Sequence, residues 1–306
     1  MSVDNVRRAL ESVVTIAVTP FDADGAVDAR AYAAVLTRCV DAGIDVVTAN
    51  GNTGEFYSLG AAERELAVHT TVAAVGQRAT VLAGVGHDVA DAVAAATAAA
   101  RAGAHGVMVH QPVHPYQSAQ GWVDYHRRIA DAVPELGVVC YVRSPALTGA
   151  AFVALADACP NVVGVKYAVP DVVALADLIG AVGAGRWVWS CGLAETWAPY
   201  FWLSGARGFT SGLATVAPRY SLDLLGQLRT GDFAAATATW RRLRAFEDMR
   251  ARGGSALNVS VVKEALAQLG ICRRDVRPPI GTLTPAERDE VTTILADLEV
   301  PLPVAV

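Results

Sequence analysis

Lysine is nearly missing from this chain. Among 25 basic residues in 306 positions only Lys166 and Lys263 are lysines, and the rest are arginine. Arginine serves as well as lysine for a surface charge, yet it stays protonated at any working pH and offers no neutral amine. A lysine kept against that bias marks a position where an amine is needed. Charge is scarce as well: 18% of residues are charged and the net charge is -5, with no arginine run longer than a pair. That leaves no phosphate-tracking surface, so no nucleic-acid partner is expected. With 53% apolar residues the chain can bury a large core, and so little charge implies that some surface is covered by other subunits.

The five cysteines, Cys39, Cys140, Cys159, Cys191 and Cys272, are odd in number and lack CxxC or zinc-type spacing, which speaks against a disulfide framework or a metal site. They read as reduced core residues. No apolar run is long enough to span a bilayer, and "MSVDNVRRALESVV" lacks the order of a signal peptide. A soluble, cytoplasmic chain without a membrane partner is expected, and no stretch reads as a flexible linker.

What is present is an alternation. Short β-branched runs at Val13 to Val18, Asp45 to Ala49, Thr80 to Ala83, Gly106 to Val109, Gly137 to Tyr141, Val162 to Lys166, Trp187 to Ser190 and Gly208 to Thr210 give eight strand candidates. The segments 28–42, 61–76, 88–102, 119–132, 148–158, 170–183, 193–204 and 215–229 carry helical spacing. Glycine in Ala-Gly-Ile-Asp, Ala-Gly-Ala-His and Ser-Gly-Ala-Arg supplies a left-handed helix end before the next strand. Eight such units predict an α/β fold, a TIM (β/α)8 barrel over 1–229, with a C-terminal helical domain over 230–306. The competitor, a doubly wound sheet, would open with a glycine-rich loop, whereas the first strand here runs into "TPFDADG".

Barrel active sites sit at the C-terminal strand ends. Lys166 ends the apolar run Val162-Val163-Gly164-Val165, where lost hydration lowers an amine's pKa and frees its lone pair for a carbonyl. The chemistry suggested is a Schiff base. The rival reading is a strand-end lysine that snorkels to water. Tyr141 closes the neighbouring strand and is placed to relay protons. In "NGNTGEFYSL", Gly51 and Gly54 let the amides of Asn52 and Thr53 turn toward an anion such as a carboxylate, although an ordinary turn has the same composition. Ser211, just after the eighth strand, joins the substrate-binding set. Lys263, in an amphipathic helix pattern beside Glu264, reads as structural. His105, His110 and His114 lie in a strand and a proline-containing loop, so the helical spacing of the last two has no meaning and no metal is expected. His110 or His114 near the barrel mouth would still orient substrate hydroxyls. Trp187, Trp189, Trp197 and Trp202 read as packing, part of it between subunits.

At these residues the chain resembles the dihydrodipicolinate synthase and N-acetylneuraminate lyase family of class I aldolases. The resemblance runs through "TPFDADGAVD", "GNTGEFYSL", the strand-end tyrosine and lysine with 24 residues between them, "GLATVAPR" and "VRPPIGTLTPAERDE". It implies a Schiff base between Lys166 and a 2-keto acid, Tyr141 as proton relay, and Asn52 with Thr53 as carboxylate binders. It also implies no metal or organic cofactor and a homodimer or homotetramer. Synthases of the family show two threonines where this chain has Asn52-Thr53. They carry a second tyrosine, contributed across a subunit interface, where this chain has His114, and an arginine where it has Ala146. Arg143, in "YVRSP", resembles instead the 5-dehydro-4-deoxyglucarate dehydratase branch and would clamp a second carboxylate, unless it is a surface arginine. The expected activity is dehydration, decarboxylating or not, of a keto-deoxy sugar acid. Pyruvate-releasing aldol cleavage or a synthase-like condensation comes second, and a non-catalytic keto-acid binder is the rival from another class.

Overall fold

The β-branched runs become strands because their side chains are wanted on both faces. β1 (Val13–Ile16), β2 (Val46–Ala49), β3 (Thr80–Val85), β4 (Gly106–Val109), β5 (Gly137–Val142), β6 (Val162–Tyr167), β7 (Val188–Cys191) and β8 (Gly208–Ser211) are buried along their whole lengths. In the computed structural model, which describes residues 2–302, they pair in parallel and in sequence order, and β8 closes onto β1. This is the TIM barrel that the alternation predicts. Each strand lies within two residues of its expected bounds.

The ring around them is α2 (Ala29–Asp41), α3 (Ala61–Val75), α4 (Val89–Ala102), α5 (Ala119–Ala132), α6 (Gly149–Ala158), α7 (Val172–Val182), α8 (Ala194–Leu203) and α9 (Pro218–Thr230). Aspartate or serine caps several starts: Asp28, Asp88, Ser118 and Asp171 each accept from a first-turn N–H. Gly43, Gly103 and Gly205 take positive φ at the helix ends, as the repeated punctuation requires.

Strand alternation divides the core. Val47, Val81, Val107, Val138, Val165, Trp189 and Phe209 face the helices, while Val14, Ile16, Val46, Leu82, Met108, Val139, Tyr141, Val163 and Val188 fill the barrel. An element absent from the sequence reading, α1 (Val3–Ala9), joins this inner core through Val6 and Leu10. A Cβ on Gly137 would stand 2.7 Å from Val6, so the glycine at the start of β5 leaves room for that helix.

Three helices follow: α10 (Phe233–Ser255), α11 (Asn258–Gln268) and α12 (Pro285–Asp297). Their core residues, among them Phe246, Met249, Val262 and Leu295, pack with Val18 and Leu213, which lie just beyond β1 and β8. The helical extension is thus seated on the C-terminal rim of the barrel. α10 is broken at Arg252, Gly253 and Gly254, and the two glycines have φ of +59° and +67°. No described helix is long and apolar enough to cross a membrane.

Candidate active site

β5 and β6 are in register so that Tyr141 and Lys166 are direct neighbours. Both point into the barrel mouth, and Lys166 Nζ lies 4.1 Å from the centre of the Tyr141 ring. Lys166 is 4% exposed, so the snorkelling alternative fails. Desolvation, with Arg143 and Arg250 adding like charge, brings its pKa down to about 7. Burial pushes Tyr141 above the usual phenol range, so it keeps its proton at neutral pH.

Asn52 Nδ2 donates to the Tyr141 hydroxyl at 3.3 Å, tying the "GNTGE" turn to the Tyr141–Lys166 pair. Asn52 and Thr53 open a single 3-10 turn, where their N–H groups have no acceptor within the turn. Glu55 ends it in a left-handed conformation (φ +60°) and is wholly buried. Its carboxylate accepts from Lys263 Nζ and, at 2.9 Å, from the Arg277 N–H. Lys263 is structural as expected, but its buried partner is Glu55 rather than the adjacent Glu264.

A cavity of about 520 Å³ opens above these groups, lined among others by Asn52, Thr53, Tyr141, Arg143, Lys166 and Thr210. Three expected residues are elsewhere. Ser211 turns toward the helix layer, donating to Glu195 and accepting from the Ala214 N–H, because β8 alternates and Phe209 already faces outward. Thr210 takes the place on the cavity. Gly51 does not line it but underlies it: a Cβ there would meet Ile16 at 2.3 Å. His114 sits on the exposed 111–118 loop, hydrogen-bonded to Tyr116, outside the cavity of its own chain.

His110 is buried under the rim, donating from Nε2 to the Asn50 carbonyl at 2.8 Å and stacked on Phe56 at 4.0 Å. Burial lowers its pKa to about 3, so it stays neutral and does not reach the cavity. His105 accepts from the Val81 N–H. Among the described residues no group of acidic, histidine or cysteine side chains is arranged to hold a metal ion. Trp187 and Trp189 pack as expected, whereas Trp197 borders the cavity.

Comparisons with known proteins bear on the family and the fold. A family model described as the dihydrodipicolinate synthetase family matches residues 9–298. This chain belongs to that family. A probable 5-dehydro-4-deoxyglucarate dehydratase of Saccharopolyspora erythraea is 35% identical, covering 97% of this chain and 95% of its own. A dihydrodipicolinate synthase structure from Bacillus clausii is 38% identical with a TM-score of 0.92, covering 96% of this chain and 99% of that one. YagE, a prophage protein of the dihydrodipicolinic acid synthase family from E. coli K12, solved in complex with pyruvate, is 29% identical (TM-score 0.86, 95% and 98% covered). The chain is a lyase of the class I aldolase type.

Within the dihydrodipicolinate synthetase family framework, the sequence reading missed one wall of the cavity. α10 and the start of α11 supply Glu247, Arg250, Ser255 and Asn258. Helical periodicity gives no hint that α10 reaches the barrel mouth. The Gly253-Gly254 pair, which interrupts an otherwise helical pattern, was the available signal.

Proposed function

We propose that Lys166 is a Schiff-base lysine and that this chain dehydrates a keto-deoxy sugar acid, with or without decarboxylation. The carrying observation is a buried amine with a pKa of about 7 set against a tyrosine ring at the floor of the cavity. At its ordinary 10.5 about one amine in three thousand would be neutral at pH 7, whereas here about half is.

Nζ attacks the ketone carbon of the 2-keto acid. The resulting carbinolamine hydroxyl accepts a proton and leaves as water, giving the protonated imine. That imine draws the electrons of a C3–H bond into the chain as the C3 proton departs, and the C4 hydroxyl then leaves with a proton as a second water. Tyr141, protonated and held by Asn52, is the proton carrier beside the amine. Thr53 and the Asn52–Thr53 amides hold the keto acid's carboxylate, with Gly51 keeping the turn close to Ile16. Arg143, exposed at the rim, takes a second carboxylate.

Ala146, in place of the arginine that the resemblance leads one to expect in synthases, weighs against lysine-precursor synthesis. Aldol cleavage is the second reading, supported by the pyruvate complex of the similar YagE. The two differ in product, since only cleavage releases pyruvate and an aldehyde. We infer further a cytoplasmic location and a homodimer or homotetramer, the assembly supported by the exposed apolar side chains Tyr116, Val173 and Leu203. His114 could meet a substrate only across such an interface.

Borohydride reduction with pyruvate, read by intact mass, is the test. A pyruvyl increment is expected on the wild type and none on Lys166→Ala. No increment on the wild type, with pyruvate or with longer keto acids, refutes the imine.

A further inference from the structure

The turn that carries Asn52 and Thr53 starts at Asn50, which holds a left-handed φ of +58° although it is not glycine. Asparagine tolerates that region better than most residues, yet the conformation is sparsely populated without support. Gly51 follows, and glycine accepts either sign of φ, so its own backbone does not stop the Asn50–Gly51 peptide from turning over. No stiffer residue fits there, because a Cβ would meet Ile16. Asn50 Nδ2 donates to the Arg64 carbonyl at 2.9 Å, which holds the side chain but not the peptide plane.

His110 supplies the missing restraint. Its Nε2 donates at 2.8 Å to the Asn50 carbonyl, which belongs to the peptide in question. Were that peptide to flip, the Gly51 N–H would face the imidazole N–H, donor against donor. At the other end of the turn Phe56 stacks on the same imidazole, with ring centres 4.0 Å apart and planes at 16°. The end of β3 leaves room for the arrangement: a Cβ on Gly84 would stand 2.0 Å from the Asn50 oxygen and 2.9 Å from His110 Nε2, and one on Gly86 3.0 Å from His110 Cβ.

An imidazole is a costly filler for this space. Among the described residues its buried Nδ1 meets no donor, a penalty that an apolar side chain would avoid. What histidine adds is the Nε2–H. Burial holds the ring's pKa at about 3, so the same single donor stands throughout the neutral range.

We propose that His110 is a positioning residue, which fixes the Asn50–Gly51 peptide so that the N–H groups of Asn52 and Thr53 stay aimed at the substrate carboxylate. The inference rests on the reading of that turn as the carboxylate site and of Lys166 as the imine-forming residue. His110 itself does not reach the cavity. Its effect comes through preorganisation, since donors already aimed need no rearrangement when the anion arrives. The same restraint steadies Asn52 Nδ2 on the Tyr141 hydroxyl.

The test compares pyruvate with methyl pyruvate, which keeps the ketone and lacks the carboxylate charge, by borohydride trapping over a concentration series on the full-length protein. The wild type is expected to half-saturate at a pyruvate concentration lower by about tenfold or more. His110→Phe keeps a ring against Phe56 and removes the donor, and should bring the two concentrations to within about threefold while trapping still goes to completion. His110→Gln returns an N–H at similar reach and should restore the preference. His110→Met takes the place of the phenylalanine variant if that one does not fold. A wild type without the preference, or a donorless variant that keeps it or weakens toward both ketones alike, overturns the positioning role. If the wild type is not trapped at all, the Lys166 reading alone fails, and titration calorimetry with the same two ketones decides for His110: a preference lost without the donor and regained in His110→Gln supports it, and any other pattern refutes it.

Discussion

Lys166 is held in a place that disfavours its charge, and the cost of that falls on stability. Its pKa in the fold, about 7, lies below the 10.5 of the open chain. Between those values the unfolded chain binds more protons, so this residue makes stability rise with pH; below about 7 the full penalty of the buried ammonium stands. Lys166→Met should therefore be more stable than the wild type by at least about 2 kcal/mol near neutral pH, with the gain shrinking as pH rises toward 10.5. Denaturant midpoints at several pH values check this, and a gain that grows with pH contradicts it. Lys263 is desolvated too, and burial lowers its pKa, but unlike Lys166 it has a charged partner, the buried Glu55 that ends the "GNTGE" turn. Lys263→Met is expected to cost about 3–5 kcal/mol and to weaken keto-acid binding, and adding Glu55→Gln should recover part of the loss in an unfolding experiment.

At the scale of elements, two short pieces serve the barrel from opposite ends. α1 enters the inner core with Val6 and Leu10, beside the starts of β5 and β6 where Gly137 and Gly164 make room. Packing there concerns stability, since the proposed chemistry sits at the other end of the strands. Leu10→Ala should lower unfolding free energy by about 2–5 kcal/mol, read from a denaturant curve, while borohydride trapping at Lys166 continues. At the mouth, the break in α10 at Gly253-Gly254 carries Ser255 and the start of α11 onto the cavity. A straight helix would have run past it.

On the scale of the whole molecule, the apolar side chains left in water bear on assembly. Tyr116 is 86% exposed, Leu203 70% and Val173 69%, and a lone chain with so little charge would leave them uncovered. Sedimentation equilibrium should give a dimer or tetramer mass, and a monomer at micromolar concentration would contradict the inferred oligomer. The barrel itself was legible in the sequence because strand and helix periods, with glycine at the helix ends, are local properties that recur eight times. Lys166 and Tyr141 were legible for a related reason: strand ends of a parallel barrel converge whatever their separation in the chain. Ser211 was misplaced by one residue, and one residue in a strand reverses the face. Glu247, Arg250 and Asn258 carried no local mark beyond the nearby Gly253-Gly254 break, since they reach the cavity through packing of α10 and α11 against Val18 and Leu213, far away in sequence. The sequence alone thus determined the barrel and the amine at its mouth, through short-range patterning and the scarcity of lysine. Only the tertiary structure decided what else surrounds that amine, because long-range packing sets which distant side chains share its cavity and how far burial lowers its pKa.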